Sequence, residues 1–552
     1  MIALQKSPQE ERALSLIGAS SSRTEAFLWF LSGLGLILFV IWPVGAVLFE
    51  SFLRDGSFSL SAYRGLFSKN LKLIGDSFLL AGGVTLCTLP LSTIIALRLV
   101  YGPERGRRLE IAALVLSTIS PPFLCSMAYL MLFGRRGLVT WKLLGFEWNP
   151  YGFHGVLMME TVSMIGLAAL LMMTSLQRVD GALERASLDL GASPLQTLKN
   201  VSLPLALPGM AASGLVVFIR SLSDFGTPLF VGGSFQVLAS RAYNTLIGVG
   251  DFPLACAMNV LLILPALGVL CLRSERQDDN FSPGLAEARS LRLPSWFLRG
   301  LDVFAWAFVA LQVLVYGLIF LGSVTQLWGK DFSFTTRHLA AILTFRADSI
   351  RRSLICSLVA GMGSCLLGVV LAYLLDGARA SVRRVVQAVV DLPYLMPGTF
   401  FGVGYLLVSS RLPFEVGVAF LISMSCLFRQ LSHSLRTAKA GLAQIDPTLE
   451  YAVRDLGGGP LRVLTDLVLP VLRPFMRLGF LNTFSASMTT TGPIIFLVSP
   501  YARVAAIELF ESINHGDFGA ASAMGTFLIV TVAIVNAIAW RWSAQSRVGA
   551  LP

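Results

Sequence analysis

The 552-residue chain is 55% apolar and only 14% charged, with a mean hydropathy of +0.72. That composition leaves too little polar surface for a soluble protein and points to an integral membrane protein. The net charge of +11 would suit nucleic acid, but the basic residues collect in connections between apolar runs, so the charge is read as membrane topology and no nucleic-acid partner is expected.

The chain opens on a mixed-charge tail, and its first apolar run, from about Phe27, is longer than a signal-peptide core, so no removable signal is expected. Runs of about 20 residues, long enough for a helix to cross ~30 Å of hydrocarbon, recur twelve times. The first six are read at 27–50, 78–100, 111–133, 155–176, 209–232 and 253–272. The second six are read at 301–326, 353–375, 386–410, 413–431, 474–498 and 518–540. The charged segment Arg273–Arg299 separates them. The expected fold is therefore all-α: a polytopic membrane protein of twelve transmembrane helices in two domains, 1–290 and 291–552. An even number of spans per half orients both halves alike, as parallel six-helix repeats about an axis along the membrane normal. The Lys and Arg bias places both termini in the cytoplasm. Seven cysteines lie in or beside apolar runs with no C-x-x-C spacing, so neither a disulfide framework nor a zinc site is expected.

An internal repeat lies in two long connections, 177–208 and 432–474. Adding 266 to a position in Glu184–Met210 gives its partner in Glu450–Met476, and 12 of 27 positions are identical. Each copy spells a short helix. Asp180 and Asp446 are N-cap candidates, Pro447 stands at a first helical position, and Glu184 and Glu450 favour the positive end of the helix dipole. Gly191 and Gly457 suit a left-handed stop. A second helix should restart at Pro194 and Pro460 and end at Leu203-Pro204 and Leu469-Pro470. Helices this short are not stable alone in water, so they pack on their own bundle, on a second protein, or on both; Ala186 and Ala452 are small enough for close approach.

The order Glu-x-Ala, Gly, Leu-Pro resembles the Glu-Ala-Ala loop of permease subunits of bacterial ABC importers, with Arg185 and Tyr451 as departures in the middle position. The resemblance implies a fused permease of the type I importer kind in the inner membrane, without a cofactor. Its loops, through Glu184, Ala186, Gly191 and Pro204 and through Glu450, Ala452, Gly457 and Pro470, would dock a separate ATP-binding subunit, in two copies. A periplasmic or lipid-anchored solute-binding protein would deliver cargo at loops 50–77, 134–154 and 327–352. Further matches at the same offset join Asp224-Phe-Gly-Thr-Pro228 to Thr490-Thr-Gly-Pro493, and Gly250-Asp251-Phe252 to Gly516-Asp517-Phe518. Asp251 and Asp517 should cap the sixth and twelfth spans. The segments Phe133-Gly-Arg-Arg-Gly137 and Asp224–Gly233 resemble the ferric-iron importer permeases, whose kin carry thiamine or phosphonates.

Ionisable groups inside spans are functional candidates by default. Arg220 and Asp224 stand four apart on the fifth span, where they would share a helix face; the eleventh carries Ser485, Ser487, Thr489 and Thr490. These six are candidates for a translocation path, or else an internal ion pair and hydroxyls bonding within the bundle. Glu160 and Asp391 are weaker candidates. The four histidines are scattered, so no metal site is expected within the permease. No G-x-x-x-x-G-K-[ST] loop occurs, so the chain should not itself hydrolyse ATP, and no His, Asp or Glu cluster supports a membrane-embedded enzyme. A secondary transporter of the major facilitator type also has six plus six spans, and Tyr101–Arg108 resembles one of its loops, but that family leaves the two long helical loops unexplained.

Overall fold

A chain in hydrocarbon must satisfy every backbone N–H and C=O internally, which makes the apolar runs helical. The computed structural model describes residues 23–121, 123–135, 137–145, 149–272, 291–413, 416–499 and 502–548. The first half begins with α1 (Arg23–Glu50), the hairpin of β1 (Leu53–Arg54) and β2 (Ser57–Phe58), the short α2 (Ser61–Lys69) and the long α3 (Leu71–Tyr101). Next come α4 (Arg107–Ile119), α5 (Phe123–Phe133), α6 (Phe153–Gln177), α7 (Gly181–Asp189), α8 (Pro194–Leu222), α9 (Gly226–Val231), α10 (Leu238–Asn244) and α11 (Phe252–Leu272). The second half repeats the opening order: α12 (Ser295–Ser323), a hairpin of β3 (Thr325–Leu327) and β4 (Asp331–Phe334), α13 (Arg337–Phe345) and α14 (Ala347–Asp376). It continues with α15 (Ala380–Leu395), α16 (Gly398–Arg411), α17 (Val418–Leu442), α18 (Pro447–Asp455), α19 (460–489), α20 (Ala505–Asn514) and α21 (Phe518–Val548).

Among the described residues, seven helices are long and apolar enough to cross a membrane: α1, α3, α6, α8, α12, α14 and α21. Counting the bent pairs α4–α5 and α15–α16 as one span each raises this to nine. The remaining three expected spans fall on α11, which is shorter, and on α17 and α19, whose polar side chains (Arg429 and His433; Arg473 and Arg477) lower their hydropathy. The architecture is consistent with twelve crossings. Of the charged segment between the halves, residues 273–290 lie outside the described residues, as do Pro122 and Arg136.

One expectation needs correction. Leu203-Pro204 and Leu469-Pro470 do not end helices; each lies within a continuous helix that widens into a π turn just before the proline, at Leu198–Ser202 and Val463–Val468. A proline has no N–H to donate and its ring crowds the carbonyl four residues back. The wider turn absorbs both defects. The same device precedes Pro43, with a π turn at Ile37–Ile41.

The halves interlock through their first helices. α1 packs on α14, α16 and α17, with Leu36 and Val40 in one core with Ala360, Tyr405 and Phe428, and Phe39 stacks on Phe428 at 5.2 Å. Reciprocally, α12 packs on α3, α4 and α5. Ion pairs join the same partners: buried Arg98 of α3 holds Asp302 of α12 and, at 3.2 Å, Glu110 of α4, while Arg454 of α18 lies 3.7 Å from Glu25 of α1.

Candidate functional site: the paired helical loops

Both copies of the repeat fold into the same local structure. Asp180 accepts the Ala182 N–H at 2.8 Å and Asp446 the Thr448 N–H at 2.9 Å, so the N-caps stand where expected. The Thr448 backbone N–H, which bonds the charged form, holds the Asp446 carboxyl below its usual range. At the other end Gly191 has φ +88° and Gly457 φ +77°. The Gly191 and Ala192 N–H groups return to Leu188 and Ser187 at 2.9 and 3.1 Å, and those of Gly457 and Gly458 to Arg454 and Val453, both at 2.9 Å. This is the paired-bond glycine stop that satisfies a helix's last carbonyls. Ser193 then caps the restart through a reciprocal pair with Gln196, at 2.8 and 3.3 Å.

The signature glutamates are both engaged, but differently. Glu184 is fully buried, and its Oε1 accepts the Tyr101 hydroxyl at 2.6 Å and the Ser202 hydroxyl at 2.7 Å, pinning α7 to the end of α3 and the start of α8. Glu450 is held differently: Arg454, one turn on, donates to it at 2.7 and 3.1 Å and reaches the Tyr373 hydroxyl of α14 at 3.4 Å. The reason lies in two substitutions at the common offset. Ser202 is replaced by Val468 and Leu188 by Arg454, so a guanidinium takes over from a hydroxyl. Burial by itself would lower the Arg454 pKa, but its bond to Glu450 with the nearby Tyr373 and Glu25 together outweigh that and raise it.

Each loop helix also turns an apolar stripe outward. Leu183, Ala186 and Leu190 are exposed on α7 and its stop, and Leu449, Ala452 and Leu456 on α18 and its stop; Leu190 and Leu456 are 89% and 86% exposed. The spacing i, i+3, i+7 puts each set on one helix face. The four leucines were missed in the sequence, though all obey the offset of 266. Pro204 is exposed and Pro470 half-buried, each within its long helix.

The path candidates do not form one group. Arg220 and Asp224 do not pair, because α8 ends at Leu222. Asp224 instead accepts from the N–H groups of Gly226 and Thr227 and from the Thr227 hydroxyl, at 2.9, 3.3 and 2.6 Å, which holds the start of α9. Arg220 is exposed and crosses to the other half, where Nη2 donates to the Tyr394 hydroxyl at 3.3 Å. Ser485 accepts from Asn536 of α21 at 2.9 Å, Thr489 bonds the Ser485 carbonyl at 3.0 Å, and buried Ser487 lines a small cavity with Cys356 and Cys426. Thr490 closes α19 through its N–H to the Ala486 carbonyl. Buried Glu160 accepts the Ser221 hydroxyl. Asp251 and Asp517 cap their helices through the Leu254 and Ala520 N–H groups at 3.1 and 3.0 Å.

A helical bundle in two interlocked repeats, each carrying a matched short-helix loop, defines a class: multi-pass membrane transport permeases. Residues 88–274 match the family described as binding-protein-dependent transport system inner membrane component. The chain belongs to that family, as a fused two-half permease of the ABC-importer type. It is 28% identical over 525 residues to the ferric transport system permease protein FbpB of Actinobacillus pleuropneumoniae, covering 92% of this chain and 76% of that protein. It is 38% identical over 98 residues to a protein of Escherichia coli K12 provisionally named ferric transport system permease-like protein AfuB, covering 18% of this chain and 82% of that protein. Over 280 residues it is 29% identical to a Salmonella typhi protein provisionally named 2-aminoethylphosphonate transport system permease protein PhnU, covering 48% and 93%. The chain is thus a transport component of the inner membrane, of a family that works with an ATPase and a binding protein.

Proposed function

We propose that the chain imports ferric iron, with one ATP-hydrolysing subunit docked on each helical loop and a solute-binding protein delivering cargo at the opposite end. The observation that carries the reading is the matched pair of exposed stripes, Leu183–Ala186–Leu190 and Leu449–Ala452–Leu456, each on a helix tied to its bundle, α7 by buried Glu184 and α18 by Arg454, which reaches Tyr373 and Glu25. A short amphipathic helix of this kind fits a hydrophobic groove on a partner. Because α7 is tied to α3 and α8, movement of the docked partner is passed to the bundle; ATP-driven closure of two such partners would favour one bundle state over the other. The likeness to the ferric permeases over most of the chain supports iron over a phosphonate, which rests on likeness over about half of it; thiamine is a further alternative. The basic connections support cytoplasmic termini and loops.

Replacing Leu190 and Leu456 together with Asp is expected to abolish co-purification of the ATP-binding subunit while the permease still inserts and folds. The measurement is pull-down from detergent-solubilised membranes alongside a melting curve. Undiminished capture of the ATPase by the double variant would overturn the docking assignment.

A further inference from the structure

The docking loops leave unused a cluster of arginines where the two halves meet, beside the bend of the ninth span. Arg220 comes from α8 of the first half. It lies with its guanidinium carbon 5.7 Å from the centre of the Tyr394 ring, besides bonding the Tyr394 hydroxyl. His433 of α17 packs edge-on against the same ring at 4.5 Å. Arg429 and Arg436 stand on α17 too.

The bend between α15 and α16, 104°, explains how they come together. Pro393 and Pro397 interrupt the ninth span, which frees carbonyls in its middle. Arg429 Nη1 donates to two of them, Pro393 at 2.9 Å and Met396 at 3.1 Å, and this brings its charge to the bend. Arg436 binds Asp391 of α15 at 3.0 and 3.1 Å, and Asp391 also accepts the Ser432 hydroxyl. Among the three guanidinium groups, it is Arg436 that binds a carboxylate, whereas Arg220 bonds a hydroxyl and Arg429 two backbone carbonyls.

Two points argue against a purely architectural role. At the offset of 266, Arg220 corresponds to Ala486, and Arg429 and Arg436 correspond to Ser163 and Leu170, so the other half folds without the cluster. Moreover, Arg220 and Arg436 stay exposed, the latter at 43%, and guanidinium groups keep their charge at neutral pH. Arg220 and Arg429 fall within the spans read at 209–232 and 413–431, where an ionisable group is a functional candidate by default.

We infer that this cluster, built on Arg220, Arg429 and Arg436, binds an oxyanion, so that cargo crosses as an anion or with an oxyanion ligand attached, not as a bare cation. The inference rests on the importer reading above and deepens it. The planar donor fork of arginine matches phosphate and carboxylate oxygens in pairs, whereas an unliganded ferric ion or thiamine would meet only repulsion.

The test uses the whole importer, permease with its ATPase and binding protein, in proteoliposomes supplied with radiolabelled iron as its phosphate or citrate complex, the anion carrying a second label. Anion entering together with iron is expected, and R220A should lower uptake at least tenfold while still co-purifying with the ATPase, with R220K, which keeps the charge but not the fork, recovering only part of the loss. Iron entering without either anion overturns the inference, as does carriage of thiamine, or uptake by R220A within twofold of the unaltered protein. Uptake of 2-aminoethylphosphonate in place of iron, again lost in R220A, would sustain the anion site and overturn the ferric reading. The double-label measurement on the unaltered importer decides the question even if R220A fails to assemble.

Discussion

At the scale of single residues, the two signature glutamates show that identity of sequence is not identity of role. Glu184 is buried and takes two hydroxyl bonds, whereas Glu450 is 34% exposed and pairs with Arg454 one turn away. Removing an acceptor from buried donors costs about 1–3 kcal/mol, but a half-exposed pair at i,i+4 is worth only about 0.3–0.5 kcal/mol. Glu184→Ala is therefore expected to destabilise the protein measurably more than Glu450→Ala, in thermal unfolding of the detergent-solubilised permease. Equal effects would mean that the inward anchor of α7 is not what the geometry indicates. The glutamates and glycines of the repeat were legible in the sequence because a fixed offset marks them. Which way the glutamates face was not, since Tyr101 and Tyr373 come from other helices and fall outside the repeat.

At the scale of the helical element, the stop glycines are held by backbone conformation and not by lack of room. Beyond the adjoining residues, no atom lies within 4 Å of where a Cβ would stand on Gly191 or Gly457, yet both have positive φ. Any L-residue there pays the left-handed penalty, about 1–2 kcal/mol, least for Asn. Gly191→Val with Gly457→Val is expected to lower transport per ATP hydrolysed, with the Asn pair close to the unaltered protein; the ratio of the two rates in proteoliposomes is the measurement. If the Val and Asn pairs behave alike, the stop is not what transmits the motion. The proline-bearing helices teach the opposite lesson. A Leu-Pro pair reads as a helix end, but in α8 and α19 a π turn carries the helix past it, since unwinding there would leave unpaired backbone at the membrane face.

At the scale of the whole molecule, the exchange of first helices makes the two halves one unit. Arg98 is the centre of the tie on one side, almost fully buried, with Glu110, Asp302 and the carbonyls of Pro103 and Arg105 around it. Arg98→Met would leave buried Glu110 without its cation, and breaking a buried pair in this way costs about 3–5 kcal/mol. Glu25→Ala, at the partly exposed pair with Arg454, should cost under about 1 kcal/mol. The check is limited proteolysis of the connection between the halves with the melting temperature; a mild Arg98→Met would mean that apolar packing of α12 alone holds the halves together.

What the amino-acid sequence determined by itself was everything that depends on local pattern. Apolar run lengths placed each expected span on a helix or a bent pair, and the offset of 266 located both loops, their Asp caps and their glycine stops, because caps and turns are decided by a few neighbouring residues. Tertiary structure decided the rest. The inward turn of Glu184, the outward leucine stripe, the failure of Arg220 to pair with Asp224, and the gathering of three arginines at the bend of α15 and α16 all depend on which helices meet. That is settled by packing between residues far apart in the chain, and no local period records it.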